Sequence, residues 1–343
     1  MTRIHGGADQ HGLARLDFST NANSCAPCPV LLKALQKVDA RHYPDPNYSE
    51  LRSALAGFHG VEVERIVLAA SASEFILRIT AYAAQRGALP QAASQRGSVN
   101  PKAAKVYLPN LSYGEYAHAA SVWNLQRTAQ PTQADLVWLC EPSSPLGQHE
   151  WLSSDIVQTV ASHSAGQGGA LLVLDCAYEP LRLSGQSSFT PQQRKTLWQL
   201  FSPNKALGMT GIRGAYAIAP EHQLDEARAV AQLAPSWPLG AHALCLLHTW
   251  TQNQTQAWLQ QSLNTLRDWK DQQIKRLQAW PCLPSDTNFF CMQAQLDTLF
   301  LRDRGIKLRD TQSFGLPGHW RLSVQPPEAQ QALLDALQNG GAL

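Results

Sequence analysis

Short apolar runs alternate with longer helix-like segments along the first two thirds of this chain, and that alternation constrains its fold more than any other feature. The runs are continuously apolar, as in residues 136–139 and 170–174, which no polar residue interrupts. Strands of this kind are buried on both faces, as in a parallel sheet that helices cover. The sequence therefore predicts the α/β class, with a doubly wound, mostly parallel sheet.

The same pattern locates the individual elements. The predicted strands of the sheet are residues 65–68, 105–108, 136–139, 170–174, 196–201 and 214–218. The predicted helices are residues 73–83, 115–122, 151–162 and 221–233. Residues 85–104 are rich in Gly, Pro, Ser and Gln, which is typical of a long surface connection.

The alternation ends near Pro238, and this change predicts a domain boundary. A long helical pattern over residues 240–280 is followed by a smaller α+β segment, with strands at 288–292, 306–309 and 319–324. Residues 1–30 have no core pattern of their own. We therefore predict an N-terminal arm (1–30) that packs on the small domain or on a partner subunit. A large domain (31–238) and a small domain with an interdomain helix (239–343) follow it.

The charge balance and the cysteines exclude several classes of protein. Lys and Arg number 28 and Asp and Glu 26, a net charge of +2, so no large basic surface for nucleic acid or a membrane is expected. No apolar stretch approaches the length of a transmembrane helix, and no secretory signal is visible at the N-terminus. Seven cysteines spread over the chain are typical of reduced thiols, and the pair Cys25 and Cys28 has no second pair to complete a metal site. We predict a cytoplasmic protein without a metal.

The residues that follow the predicted strands are the candidates for chemistry, because doubly wound sheets bind ligands beyond the carboxyl ends of their strands. The segment Ser71-Ala72-Ser73 follows the first strand and opens a helix, where backbone N–H groups either bind an anion or are capped by Ser73. Asp175 follows a buried strand, where a carboxylate needs a cationic partner or serves as a helix N-cap.

The stretch from Ser202 to Arg213 carries the strongest signal. Lys205 stands there among small and apolar residues. In such a setting a lysine either pairs with an anion or has a lowered pKa, which suits an amine that attacks a carbonyl carbon. Ser202 and Arg213 are spaced so that both can reach one phosphate, the arginine as a bidentate donor.

These motifs, in this order, resemble the fold type I pyridoxal phosphate enzymes of the class I/II aminotransferase superfamily. The opening His5-Gly6-Gly7 and the segment 17–23 are similar to the threonine-phosphate decarboxylases of cobalamin biosynthesis. The segments 43–51 and 319–324 are similar to that family and to its relatives, the histidinol-phosphate aminotransferases. The resemblance extends over nearly the whole chain.

The resemblance implies a role for each matching residue. Lys205 would hold pyridoxal 5'-phosphate covalently and move protons, and Asp175 would pair with the ring nitrogen. The other contacts implied are with the cofactor phosphate (Ala72 through its N–H, Ser73, Ser202, Arg213 and, in the neighbouring subunit, Tyr43), with the ring face (Tyr113), with the ring 3-oxygen (Tyr178 and Ser144) and with the substrate (Arg321, Asn23 and His5). Ser144 departs from the family pattern, because the turn from Glu141 to Gly147 has Ser where relatives usually have an Asn that binds the 3-oxygen.

Three functions follow from the resemblance. The first is decarboxylation of O-phospho-L-threonine in cobalamin biosynthesis, by a homodimer whose substrate is a small phosphorylated amino acid. The second is transamination of the histidinol-phosphate type, which shares every cofactor contact and differs in the bond at Cα that stands perpendicular to the ring. The third is a catalytically silent homologue, and the presence of Lys205 and Asp175 argues against it. The HGG opening favours the decarboxylase.

Overall fold

The structure, a computed structural model, describes residues 5–88, 103–149 and 169–342. Its strands are β1 (Leu16–Asp17), β2 (Ile66–Ala69), β3 (Lys105–Tyr107), β4 (Gln126–Arg127), β5 (Leu136–Cys140), β6 (Leu171–Asp175), β7 (Trp198–Phe201), β8 (Ala215–Ile218), β9 (Phe289–Gln293), β10 (Ile306–Lys307), β11 (Arg309–Asp310) and β12 (His319–Ser323). Its helices are α1 (Pro29–Leu35), α2 (Ser49–His59), α3 (Ala72–Ala88), α4 (Gly114–Val122), α5 (Pro191–Arg194), α6 (Leu224–Gln232), α7 (Ala241–Trp250), α8 (Asn253–Arg276), α9 (Thr298–Asp303) and α10 (Pro327–Ala336).

A seven-stranded sheet in the order β2-β8-β7-β6-β5-β3-β4 forms the centre of the molecule. Strands β3 to β7 pair in parallel, and β8 is antiparallel to both of its neighbours, β2 and β7. Successive residues of these buried strands point to two different cores: Val67 belongs to the core under α3, and Leu68 to the core on the opposite face. The α/β class and the mostly parallel sheet are therefore confirmed.

The smaller sheet is antiparallel, in the order β11-β12-β9, and has its own core with α9 and α10. The N-terminal arm reaches this part of the molecule, because β1 pairs in parallel with β10 and Phe18 is buried in the same core. The single strand predicted over 306–309 is two short strands, since β10 pairs with β1 while β11 pairs with β12.

One predicted helix boundary needs correction, and two predicted segments lie at least partly outside the described residues. Helix α3 continues to Ala88, five residues past the predicted end, because Ala, Gln and Arg follow and all favour helix. The predicted helix 151–162 and residues 89–102 of the predicted connection lie outside the described residues. Among the helices of the described part, none combines the length and the apolar character that crossing a bilayer requires.

Candidate active site

The carboxyl ends of β5, β6 and β7 meet at one edge of the sheet, and the predicted functional residues gather there. Asp175 is the last residue of β6, and Ser202 directly follows β7. The side chain of Lys205 lies in the turn after β7, where its Nζ donates to Ser202 Oγ at 3.4 Å. The pairing of β5 with β6 and of β6 with β7 thus places three sequence-distant turns side by side.

Lys205 is an amine in a mostly apolar setting. Burial lowers its pKa, the negative charge of Asp175 opposes that shift, and the cationic Arg213 adds to it. Its Nζ lies 5.3 Å from the centre of the Tyr178 ring. A lysine with a lowered pKa carries more of the neutral amine, which is the form that attacks a carbonyl carbon.

Asp175 is buried and held by two donors. Tyr116 donates its hydroxyl to Oδ2 at 2.6 Å, and the backbone N–H of Ala177 donates to Oδ1 at 2.9 Å. Burial raises the pKa of this carboxyl, while Tyr116, Lys205 and Ala177 oppose the shift. Each oxygen keeps a further lone pair, so the carboxylate can accept from a protonated ring nitrogen as well.

Tyr178 lies between Lys205 and the start of β9. Burial raises the pKa of its hydroxyl, so the group stays protonated and can donate. Asn21 Nδ2 donates to that hydroxyl at 3.4 Å, and the Phe289 ring packs edge-on against the Tyr178 ring at 4.8 Å.

The start of α3 supplies the predicted anion site, with one correction to the sequence analysis. Ser71 rather than Ser73 caps the helix, since Ser71 Oγ accepts from the N–H of Glu74 at 3.1 Å. Ala72 is the first helical residue, and the Ser73 hydroxyl lies 3.3 Å from the Tyr113 hydroxyl. The helix N-terminus and the Ser73 hydroxyl thus stand beside the aromatic ring that was predicted to stack on the cofactor.

Arg321 occupies the opposite side of the site, on β12. It is 6% exposed, and its Nη1 donates to Ser144 Oγ at 3.0 Å. Ser144 therefore already accepts one hydrogen bond, and its own proton remains available to a further acceptor. The turn that carries Ser144 is anchored by the buried Glu141, which accepts from Arg182 at 3.1 Å and from the backbone N–H of Ser188 at 2.7 Å.

A second buried arginine stands next to Arg321. Arg309 lies directly opposite it in the β11–β12 pair and is 5% exposed. The Phe314 ring contacts both guanidinium groups, its centre 4.8 Å from Arg309 Cζ and 5.2 Å from Arg321 Cζ. Burial, together with the neighbouring Arg321 charge, lowers the pKa of Arg309 to about 10. Two buried cations this close favour an anion between or beside them.

The remaining predicted residues have different positions. His5 lies at the site entrance, 3.8 Å from a carboxylate oxygen of Glu115 and in edge contact with the Tyr113 ring. Arg213 and Tyr43 are exposed. Asn23 does not line the entrance as predicted: it is buried, and its amide group bonds to Ala206, Ser262 and Cys25 of its own chain, so it fixes the arm to the lysine turn.

Two buried polar atoms at the site have no partner among the described residues, Asn21 Oδ1 and Arg321 Nε. Burying a polar atom without a hydrogen bond is costly, so such atoms indicate a polar ligand. A buried amine, an acceptor for a ring nitrogen, hydroxyl donors and a helix N-terminus stand around them. This set of groups matches what pyridoxal phosphate requires: an amine for its aldehyde, an anion for its ring nitrogen and donors for its oxygens.

Comparison with known proteins identifies the family. The family model for aminotransferases of class I and II matches residues 121–337. The chain belongs to this family. Members of the class I/II family are pyridoxal-phosphate-dependent enzymes, so the protein is an enzyme of that class and its cofactor is pyridoxal phosphate.

Relatives of this class I/II enzyme include two aminotransferases and one decarboxylase. The histidinol-phosphate aminotransferase 1 of Archaeoglobus fulgidus is 24% identical over 331 residues, which cover 94% of this chain and 98% of the relative. The histidinol-phosphate aminotransferase of Clostridium acetobutylicum superposes with a TM-score of 0.77 at 18% identity, covering 94% of this chain and 98% of the other. The L-threonine-O-3-phosphate decarboxylase of Porphyromonas gingivalis superposes with a TM-score of 0.73 at 22% identity and the same coverage.

Sequence reasoning missed three residues of this site. Tyr116 gave a signal in its spacing, since it stands three residues after Tyr113, but no role was predicted for it from the sequence. Asn21 lay inside the recognised segment 17–23 without a role. Arg309 gave no signal, because only the pairing of β11 with β12 brings it beside Arg321.

Proposed function

We propose that this protein is an aminotransferase that acts on a small phosphorylated amino compound, of the histidinol-phosphate type. The observation that carries the proposal is the pair of buried arginines in contact with Phe314, with Arg321 bonded to Ser144 at the proposed cofactor edge of the site. Guanidinium groups bind phosphate and carboxylate with two parallel hydrogen bonds. The names of the similar curated proteins support transamination more than the decarboxylation that the HGG opening favours.

Each residue of the site has its own role in such a reaction. Bound pyridoxal phosphate supplies an electron sink for a bond broken at the substrate Cα. Asp175 holds the proton on the ring nitrogen, with Tyr116 and the Ala177 N–H fixing its orientation. Lys205, whose amine has a lowered pKa, carries the proton between the substrate Cα and its acceptor atom. Burial raises the pKa of Tyr178, so its hydroxyl keeps its proton and would donate to the ring oxygen.

Arg321 and Arg309 would select the substrate. Arg321 Nε has no acceptor among the described residues, so an anionic group of the substrate would complete its hydrogen bonds. The apolar face of Phe314 would keep water from both guanidinium groups, which strengthens their attraction to an anion. A neutral substrate would not complete the hydrogen bonds of Arg321.

Threonine-phosphate decarboxylation is the second candidate. The position of His5 at the entrance, next to Glu115 and Tyr113, favours it, because this residue belongs to the HGG opening on which that resemblance rests. The structural likeness to the P. gingivalis decarboxylase shows the shared fold alone.

One experiment separates the two candidates. The protein loaded with pyridoxal phosphate is incubated with histidinol phosphate and a keto acid, and separately with O-phospho-L-threonine. We expect amino-acid formation from the keto acid in the first mixture and no CO2 in the second. Release of CO2 from phosphothreonine without consumption of keto acid would contradict the proposal and establish the second candidate.

We also propose that the protein is a homodimer in which Tyr43 approaches the cofactor phosphate of the other subunit. The support is the position of Tyr43, which is 78% exposed in the single chain, and the resemblance of segment 43–51 to dimeric relatives. The division into an arm (1–30), a large domain (31–238) and a small domain (239–343) remains a proposal as well.

A further inference from the structure

We propose that Trp237 is a positioning residue for the active site of a second copy of this chain, where it holds Tyr43 in place. This inference rests on the function and the dimer proposed above. It adds a residue that neither the motifs nor the site of the single chain includes.

Four contacts join the segment around Tyr43 to the segment around Trp237. The two rings stack with centroids 4.5 Å apart at 28°, and Trp237 Nε1 donates to the carbonyl of Pro44 at 3.1 Å. The hydroxyl of Tyr48 donates to the carbonyl of Leu239 at 2.8 Å and accepts from its N–H at 3.1 Å. Segments almost 200 residues apart in sequence thus form one rigid unit, which we call the aromatic knob (Tyr43 and Trp237).

The two side chains of the knob project into solvent. Tyr43 is 78% exposed and Trp237 is 42% exposed, although stacked aromatic rings are usually buried. Trp237 also has φ +50°, a left-handed conformation that is strained for a bulky side chain. A strained residue that presents an exposed ring stack indicates a surface shaped for contact with another molecule.

A cavity beside the knob is the surface that would receive the knob of a second copy. It has a volume of about 370 Å³, it opens next to the start of α7, and Gly211, Ile212, Arg213, Gly240, Ala241, His242 and Ala243 line it. Its lining begins at Gly240, directly after Leu239, whose backbone is bonded to the Tyr48 hydroxyl, so the cavity adjoins the segments that carry the knob. A twofold axis through this surface would bring the knob of each copy to the cavity of the other.

Arg213 makes a second copy of this chain the occupant that fits best. Although it belongs to the predicted phosphate site, its side chain is exposed, so that site is open to solvent in the single chain. A knob that enters the cavity would cover Arg213 and bring the Tyr43 hydroxyl to the phosphate. Trp237 would fix the angle of the Tyr43 ring through the stack, and without it Tyr43 would be a free surface side chain.

Hybrid dimers test whether Trp237 acts across the interface. Trp237→Asn is the main variant, because Asn tolerates the left-handed backbone and the ring alone is lost. Differently tagged Lys205→Ala and Trp237→Asn chains are co-expressed, and the heterodimer is purified. In this heterodimer Lys205 is intact only on the chain that carries Trp237→Asn. The site of that chain therefore has a native Trp237 beside it only if the partner chain supplies this residue. The readout is the rate at which bound pyridoxal phosphate is lost on dilution, followed by its visible absorbance.

We expect Trp237→Asn homodimers to lose the cofactor about tenfold faster than the natural protein, with Trp237→Phe close to natural. The hybrid should retain the cofactor that is bound covalently at its one intact Lys205 at the natural rate. Loss from the hybrid at the rate of the Trp237→Asn homodimer would overturn the inference, and so would a monomeric natural protein in sedimentation. Trp123→Asn is the matched control, because Trp123 is also 42% exposed and follows the C-terminus of α4, away from the knob in sequence.

Failure of the proposed function gives a different result. If the natural protein binds no pyridoxal phosphate at Lys205, its absorbance shows this before any hybrid is made, and both proposals fall. If the natural protein binds the cofactor and the variants change nothing, the inference about Trp237 alone is overturned.

Discussion

Lys205 is the residue on which the proposed chemistry depends most directly. We expect Lys205→Ala to lower turnover by roughly 10³-fold or more and to abolish the visible absorbance of covalently bound cofactor. Pyridoxal phosphate should still bind through its phosphate and ring contacts. The control is Lys195→Ala, since Lys195 is exposed and pairs with Glu221 at the surface. A Lys205→Ala protein that kept both absorbance and turnover would remove Lys205 from the site.

Ser144 offers a second test at the scale of one residue. Asn in its place would present a longer donor to the ring oxygen of bound cofactor. Hydrogen bonds to that anionic oxygen favour loss of the proton from the Lys205 nitrogen. We therefore expect the nitrogen of the loaded protein to lose its proton at a higher pH in the natural protein than in Ser144→Asn. A spectrophotometric pH titration of both proteins measures the difference.

An unchanged or raised midpoint in Ser144→Asn would show that the serine hydroxyl serves the oxygen as well as an amide does. Arg321 is the reason to include Ser144→Ala in the same series. Its Nη1 bonds to Ser144 Oγ, so the alanine variant separates the loss of that contact from the change of donor.

At the scale of elements, the N-terminal arm holds the turn that carries Lys205. The N–H of Asn23 donates to the carbonyl of Lys205 at 2.9 Å, and the N–H of Cys28 donates to the carbonyl of Leu207 at 3.1 Å. Gly208 allows this close approach, because a Cβ there would lie 1.7 Å from Cβ of Ala26. The arm therefore contributes to the active site by fixing the lysine turn from behind.

This packing predicts the effect of Gly208→Ala. The residue has φ +66°, and the clash with Ala26 adds to the strain of a side chain in that conformation. The matched control is Gly60→Ala, with φ +64° and no heavy atom within 4 Å of the added Cβ. We expect Gly60→Ala to cost about 1 kcal/mol and Gly208→Ala about 1–3 kcal/mol more in urea unfolding. Equal losses of unfolding free energy in the two variants would show that the arm moves away from the added methyl group without destabilising the fold.

At the scale of the whole molecule, Lys270 ties the long helix α8 to the loop before β9. It is 7% exposed, and its Nζ donates to the carbonyls of Ser285 and Thr287, the second at 2.9 Å. That loop in turn meets the large domain, since the N–H of Asp286 donates to the carbonyl of Gly147 at 2.7 Å. Burial lowers the pKa of Lys270 to about 8, against an opposing effect of Asp286 and Asp271.

The lowered pKa predicts how stability depends on pH. Between pH 8 and about 10.5 the unfolded chain keeps the proton on Lys270 while the folded chain has lost it, so this group makes the free energy of unfolding rise with pH. The slope from one proton is at most about 1.4 kcal/mol per pH unit. We expect Lys270→Gln to remove this component in urea unfolding at pH 7.5, 9 and 10. The exposed Lys275→Gln, on the same helix, should leave the slope unchanged. An unchanged slope in Lys270→Gln would contradict the lowered pKa.

The sequence by itself determined the class of fold and indicated which residues are candidates for the chemistry. Continuous apolar strands determined the parallel sheet, because a strand buried on both faces has no polar side, and strands β2 to β8, apart from the two-residue β4, lie within two residues of their predicted limits. Lys205 and Asp175 were candidates because each follows such a strand or its turn, where doubly wound sheets bind ligands, while the role expected of Tyr178 came from the family resemblance.

Only the tertiary structure decided which distant side chains meet. Arg309 stands beside Arg321 through strand pairing, and Asn23 turned inward to the lysine turn while Asn21 reached Tyr178. The Tyr43–Trp237 stack joins segments that share no local pattern. Periodicity in a sequence reports which face of an element is buried, and it carries no information on which element packs against that face. Contacts between elements are set by register, strand order and close packing, which exist only once the whole chain has folded.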